Sequence, residues 1–97
     1  MTIGYFQRVQ WLHDSPEYPV VLWAHVVDGW EVRKVDQFAD GRLAWADDEH
    51  ESGSTGLGTV PVPAPEEIGA NPEFVIEVVD REAFDRIWQL ARARDSR

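Results

Sequence analysis

The chain contains no cysteine, which excludes disulfides, thiolate zinc sites and a cysteine nucleophile together. Long apolar runs are also missing. The longest, such as residues 19–24 (PVVLWA), fall far short of the ~20 residues that cross a bilayer. The opening stretch MTIGYFQRVQ lacks the apolar core of a secretory signal, so a cytoplasmic protein is expected. Positive charge is scarce where most of the chain lies. Residues 1–80 hold four basic side chains (Arg8, Arg33, Lys34 and Arg42) against fifteen acidic ones, a balance of −11 in a chain of net charge −9. Such a body repels phosphate backbones and anionic lipid at long range. Direct nucleic-acid binding and a membrane partner are therefore not expected. The five arginines of residues 81–97 give that stretch a balance of +2 and suit a helix end, where they offset the dipole.

What remains is a strongly aromatic chain. Five tryptophans in 97 residues argue for one folded domain, residues 1–97, with one hydrophobic core. Residues 5–12 (YFQRVQWL) mix aromatic and β-branched residues with polar ones, as a half-exposed strand does. Residues 20–27 (VVLWAHVV) are almost continuously apolar and predict a central strand covered on both faces. Asp28-Gly29 is a hairpin signal, leading to a returning strand over residues 30–38. Asp40-Gly41 is a second, leading to a fourth strand over residues 42–46 and completing a four-strand antiparallel meander.

Residues 47–58 (DDEHESGSTGLG) change character and predict a long surface loop. Val60-Pro61-Val62-Pro63 should be extended, since a residue before proline avoids the helical region. Pro65 suits the first position of a short, weakly capped helix. Residues 74–79 (FVIEVV) predict a fifth strand. Asp80 is a natural N-cap for a helix over residues 81–94, in which Phe84, Ile87, Trp88 and Ala91 share one stripe that Leu90 widens. The fold class is α+β: an antiparallel sheet of about five strands, a C-terminal helix packed on one face, and a short helix before the last strand.

Residues able to carry chemistry are few. His25 sits in an apolar strand, as a satisfied, partly buried histidine would. His13 stands beside Asp14 in a turn, and His50 within Asp47-Asp48-Glu49-His50-Glu51. That acidic tract lacks the alternating ligands, fixed glycine and distant glutamate of a calcium loop. The glycine tract of residues 53–58 lacks the lysine and the following helix of a phosphate cradle. No serine has the Gly-x-Ser-x-Gly context. Neither a cofactor nor a metal is expected, and no catalytic residue is assigned.

Several tracts together resemble one family. They are Arg8-Val9-Gln10-Trp11-Leu12-His13-Asp14, Trp30-Glu31-Val32-Arg33-Lys34-Val35, Asp40-Gly41-Arg42, Pro61-Val62-Pro63, Glu67-Ile68, Pro72-Glu73-Phe74, and Phe84 with Trp88. Spread from about Tyr5 to Leu90, they are similar to domain of unknown function 6881, a family of small bacterial proteins. The resemblance implies a stand-alone bacterial cytoplasmic domain and supplies no catalytic residues. The charged tract Glu31-Arg33-Lys34 belongs to that pattern. Its alternating charge predicts a strand face with internal salt bridges, not a site.

Two function classes follow. One is a small acidic binding protein, of the immunity or antitoxin-like kind, that neutralises a basic protein partner. Its partner-binding residues would be Asp47, Asp48, Glu49 and Glu51, helped by an exposed aromatic, Trp30 or Trp45. The other is an enzyme of unrecognised type using His13, His25 or His50. An acidic nucleic-acid mimic shares the charge argument of the first. An open sheet leaves two edges, so a monomer or an edge-paired homodimer is expected.

Overall fold

The structure, a computed structural model, describes residues 4–51, 55–59 and 61–95. Strands β1 (Gly4–Trp11), β2 (Val21–Val27), β3 (Trp30–Gln37) and β4 (Leu43–Asp47) form the antiparallel meander expected from the sequence. Strand β5 (Phe74–Val79) pairs antiparallel with β1, giving the sheet order β4-β3-β2-β1-β5. A short helix, α1 (Pro65–Gly69), precedes β5, and the long helix α2 (Arg81–Asp95) follows it. The α+β architecture is as the sequence predicts, with β2 near the middle of the sheet.

The two Asp-Gly turns differ in construction. Asp28 (φ 53°) and Gly29 (φ 85°) are both left-handed, the two-residue geometry whose twist matches that of the flanking strands. At the second turn only Gly41 (φ 93°) is left-handed. There Phe38 N donates to Arg42 O at 2.9 Å and Gly41 N donates to Phe38 O at 3.0 Å, making a longer loop than the first. The Asp40 carboxylate accepts from Arg42 N and Nε at 3.0 and 2.8 Å, and those bonds hold its pKa below the ordinary carboxylate value.

One sheet face lies under α2. Strand register brings Arg8, Trp23, Val35 and Trp45 into one row across it and Phe6, His25, Arg33 and Asp47 into the next. Asp80 Oδ1 accepts from Ala83 N at 2.8 Å, the N-cap expected of it. The helix then buries Phe84, Trp88 and Ala91 against Val35 and Trp45, with Ile87 partly buried beside them. Leu90 does not widen this stripe. It stands on the flank of the helix, beside a shallow groove shared with Trp23 and Arg86, and stays exposed.

The opposite face lies under the connection between β4 and α1. Thr55 Oγ1 donates to Asp36 Oδ2 at 2.9 Å, Gly58 N to Glu31 Oε1 at 2.7 Å, and Val62 N to Gly29 O at 2.6 Å. The surface loop expected from the sequence is thus a cover pinned to the sheet, with Thr55 only 4% exposed. Ala64 provides no side-chain cap for α1, and none of that helix's residues is fully buried. Its Ile68 faces the same cleft as Phe74 at the start of β5.

Candidate functional site

Antiparallel pairing sets the geometry of the acidic tract. Asp47 ends β4 opposite Arg33. The chain then reverses: Asp47 N donates to His50 O at 3.0 Å, Glu49 N to Asp47 Oδ1 at 2.9 Å, and Glu51 pairs back with Ala46. This is a bonded turn at the edge of the sheet. Asp48, Glu49 and Glu51 are exposed on it, and Asp47 is partly buried. Among the described residues, no group of three His, Asp or Glu side chains is placed to hold a metal ion.

The His50 ring stacks on Trp45 at 3.7 Å with an interplanar angle of 12°, fastening the turn to the core. Trp45 is therefore not the exposed aromatic anticipated from its place beside the acidic tract. It is 9% exposed, because its position on β4 faces α2, where it meets Trp88 edge-on at 5.2 Å. Trp30 does fit that expectation. It is 46% exposed and opens β3 just after the left-handed Asp28-Gly29 turn. Since β3 starts at the end of the sheet where β4 finishes, the topology carries Trp30 and the acidic turn to the same end.

The other two histidines are held by neighbours. His13 Nε2 lies 2.7 Å from Pro19 O, and its Nδ1 accepts from Ser15 N at 3.0 Å, so the ring braces the β1–β2 connection. His25 stacks on Phe6 at 4.3 Å and accepts from Arg33 Nε at 3.2 Å. Burial first, then the positive charges of Arg33 and Arg81, hold its pKa below the usual imidazole value, with Asp85 opposing them.

Of the charges in Glu31-Arg33-Lys34, only Lys34 makes the expected salt bridge within the strand. Arg33 lies over Phe84 and Trp88 at 4.8 and 5.2 Å and pairs with Asp85 at 3.7 Å. Burial lowers its pKa, and Asp85 opposes that. Lys34, on the opposite face, pairs with Asp36 at 3.5 Å, while Glu31 takes the Gly58 N–H. Successive strand residues face opposite ways, so Arg33 finds its partner on α2 and Glu31 in the cover, while Lys34 pairs with Asp36 two residues along β3. Gly58, in the tract that superficially resembles a phosphate cradle, spends its N–H on a carboxylate.

Residues 5–93 match the family model described as Domain of unknown function (DUF6881). The chain belongs to this family. The matched span includes Trp30, the acidic turn and the Asp36–Thr55 pair. No curated protein and no solved structure matches the chain.

Among the described residues, three buried polar ones escaped the sequence reading: Gln7, Asp36 and Thr55. Gln7 was expected on a half-exposed strand, yet it is 5% exposed. The available signal was parity. Gln7 alternates with Tyr5, Val9 and Trp11, placing a carboxamide among residues of one face. Thr55 carried no such signal, because nothing local ties it to Asp36, nineteen residues earlier.

Proposed function

We propose that the protein binds a basic partner protein through Asp47, Asp48, Glu49 and Glu51, with Trp30 as its aromatic anchor. In this reading it is an immunity or antitoxin-like protein of the bacterial cytoplasm. The observation that carries the proposal is a bonded turn presenting three exposed carboxylates at the sheet end that also presents an exposed tryptophan. A fixed acidic turn on a body of net charge −9 steers a positively charged surface toward it. Steering alone yields a fast, weak encounter, and a desolvated aromatic supplies affinity. Trp45 acts indirectly, as the buried platform beneath His50. The histidine-enzyme alternative has less support, since His13 and His25 are engaged in bracing contacts.

The test is association kinetics with the partner captured from the source cell. Replacing Asp47, Asp48, Glu49 and Glu51 together by Asn and Gln should slow association and flatten its salt dependence. Trp30→Ala should leave association nearly unchanged and speed dissociation by about tenfold or more. Association indifferent to salt and to the fourfold neutralisation would remove the acidic turn from the interface.

A further inference from the structure

The sheet ends in two edges, and the chain treats them differently. At β4 the acidic turn folds back on the edge: Asp47 N donates to His50 O, and Glu51 bridges to Ala46. Charge and a covering segment are among the means by which native sheets block pairing with another chain. Strand β5 has little of either. Among the described residues, no backbone bond reaches Ile76 or Val78 from outside the sheet. Val75 and Val78 are 54% and 60% exposed and stand on opposite faces of this edge. The one charge of the strand, Glu77, pairs with Arg8 on β1 at 3.7 Å.

Hydrogen-bond parity decides which groups point outward. Leu12 N donates to Glu73 O at 2.8 Å, so bonded pairs with β1 recur at Val75, Glu77 and Val79. Phe74, Ile76 and Val78 therefore direct their N–H and C=O groups away from β1. Phe74 N already donates to Asn71 O at 3.0 Å. The Phe74 C=O and both groups of Ile76 and Val78 remain for a neighbour.

We infer that β5 pairs antiparallel with β5 of a second copy, about a two-fold axis through Ile76. In that register the two Ile76 residues exchange N–H···O bonds, and Val78 N of each copy donates to Phe74 O of the other. Val78 meets Phe74 on the covered face, and Val75 meets Glu77 on the α2 face. Neighbouring registers fail on charge. An axis through Glu77 sets two Glu77 carboxylates opposite each other, and one through Val75 sets Glu77 opposite Glu73. Axes further out overlap fewer residues. The net charge of −9 repels a second copy at long range, so it limits the strength of the dimer and leaves the register to the edge. This edge is the one opposite the acidic turn, and the dimer needs no basic partner.

Sedimentation velocity of the full-length protein at rising concentration reads the association, and NMR reads its register. A monomer–dimer equilibrium is expected. It should be tighter at about 0.15 M salt than at about 0.01 M, as the screening length falls from roughly 30 to 8 Å. Raising the protein concentration should slow hydrogen exchange at the Ile76 and Val78 amides, while Val75 and Glu77 are protected throughout. In a mixed-label sample, a contact between the α-protons of Val75 and Glu77 across copies places the axis at Ile76. Val78→Pro removes an N–H that a lone subunit leaves unused, and Val78→Lys sets a charge on the seam at an exposed position. Each should abolish the dimer, and Val78→Lys keeps the test open where proline disturbs the strand. A monomer at every concentration up to about 1 mM would overturn the proposal. So would a dimer unmoved by Val78→Lys, a dimer weakened by salt, or protection of Ile76 and Val78 that appears only when another protein is added.

Discussion

The two faces of the sheet are covered in different ways. Under α2, Val35, Phe84 and Ala91 are fully buried, and Arg33 and Arg92 lay guanidinium planes over Trp88. Under the loop and α1 there is a cleft, and there the polar groups Gln7, Asp36 and Thr55 are buried beside the small apolar residues Val9, Ala24, Val26 and Ala46. The difference follows from what each cover can deliver. A capped helix of fifteen residues presents a side chain to the sheet every three or four positions. An extended, proline-containing segment and a five-residue helix present few, so part of the surface is closed by hydrogen bonds to the sheet instead. Both faces bury apolar side chains, the large aromatic ones under α2, and the cover face adds space and buried polar groups.

Changes made on each face should separate these roles. The largest effect belongs to the helix side. Trp88→Ala removes an indole packed against Trp45 and Phe84 and should cost roughly 3–5 kcal/mol, enough to unfold much of a domain this small. A melting temperature lowered by only a degree or so would mean that α2 is peripheral. On the cover side, Thr55→Val deletes the hydroxyl that Asp36 Oδ2 accepts from, leaving that buried carboxylate with Lys34 alone. The expected cost is about 1.5–3 kcal/mol by chemical denaturation, and Asp36→Asn in the same background should recover part of it. No cost would show that the loop rests on the sheet without being fastened there.

The smallest effect is a pH dependence on the helix side. The folded pKa of His25 lies below its ordinary value, so the unfolded chain takes up its proton first as the solution is acidified. Its contribution is complete above the unfolded pKa of about 6.5 and is lost as pH falls through the lower folded value. His25→Phe keeps a ring against Phe6 and should lose less stability than the parent between about pH 7.5 and 5.5. Equal losses would show that His25 does not titrate against the fold. Asp85 is the acidic neighbour opposing the shift, and Arg33 and Arg81 are the basic ones favouring it.

Much of the fold was legible because its signals are local. Each strand is an aromatic or β-branched run bounded by turn residues, and α2 carries its own cap and its own stripe. The candidate site was legible only in part. Asp48, Glu49 and Glu51 are exposed as expected of an acidic loop, and Trp30 is exposed as expected of a hairpin tip. Trp45 was not distinguishable from Trp30 by composition, since both are tryptophans on strands beside turns. Gln7 was hidden for a related reason: a polar residue on a half-exposed strand is ordinarily solvated, and here a cover from more than fifty residues later removes the water.

The amino-acid order by itself determined the elements to within about a residue at their ends, the places of the two Asp-Gly turns, the helix start at Asp80 and the acidic charge of the body. These depend on backbone preferences, capping and side-chain period, all of which act within a few residues. Only the tertiary structure decided which face of the sheet α2 occupies, and with it the burial of Trp45 against Trp88. It also decided where the chain after β4 lies, and so the Asp36–Thr55 bond and the cleft at Gln7. Those outcomes depend on contacts between distant segments, and alternation along a strand separates its two sets of residues without saying what will cover either one.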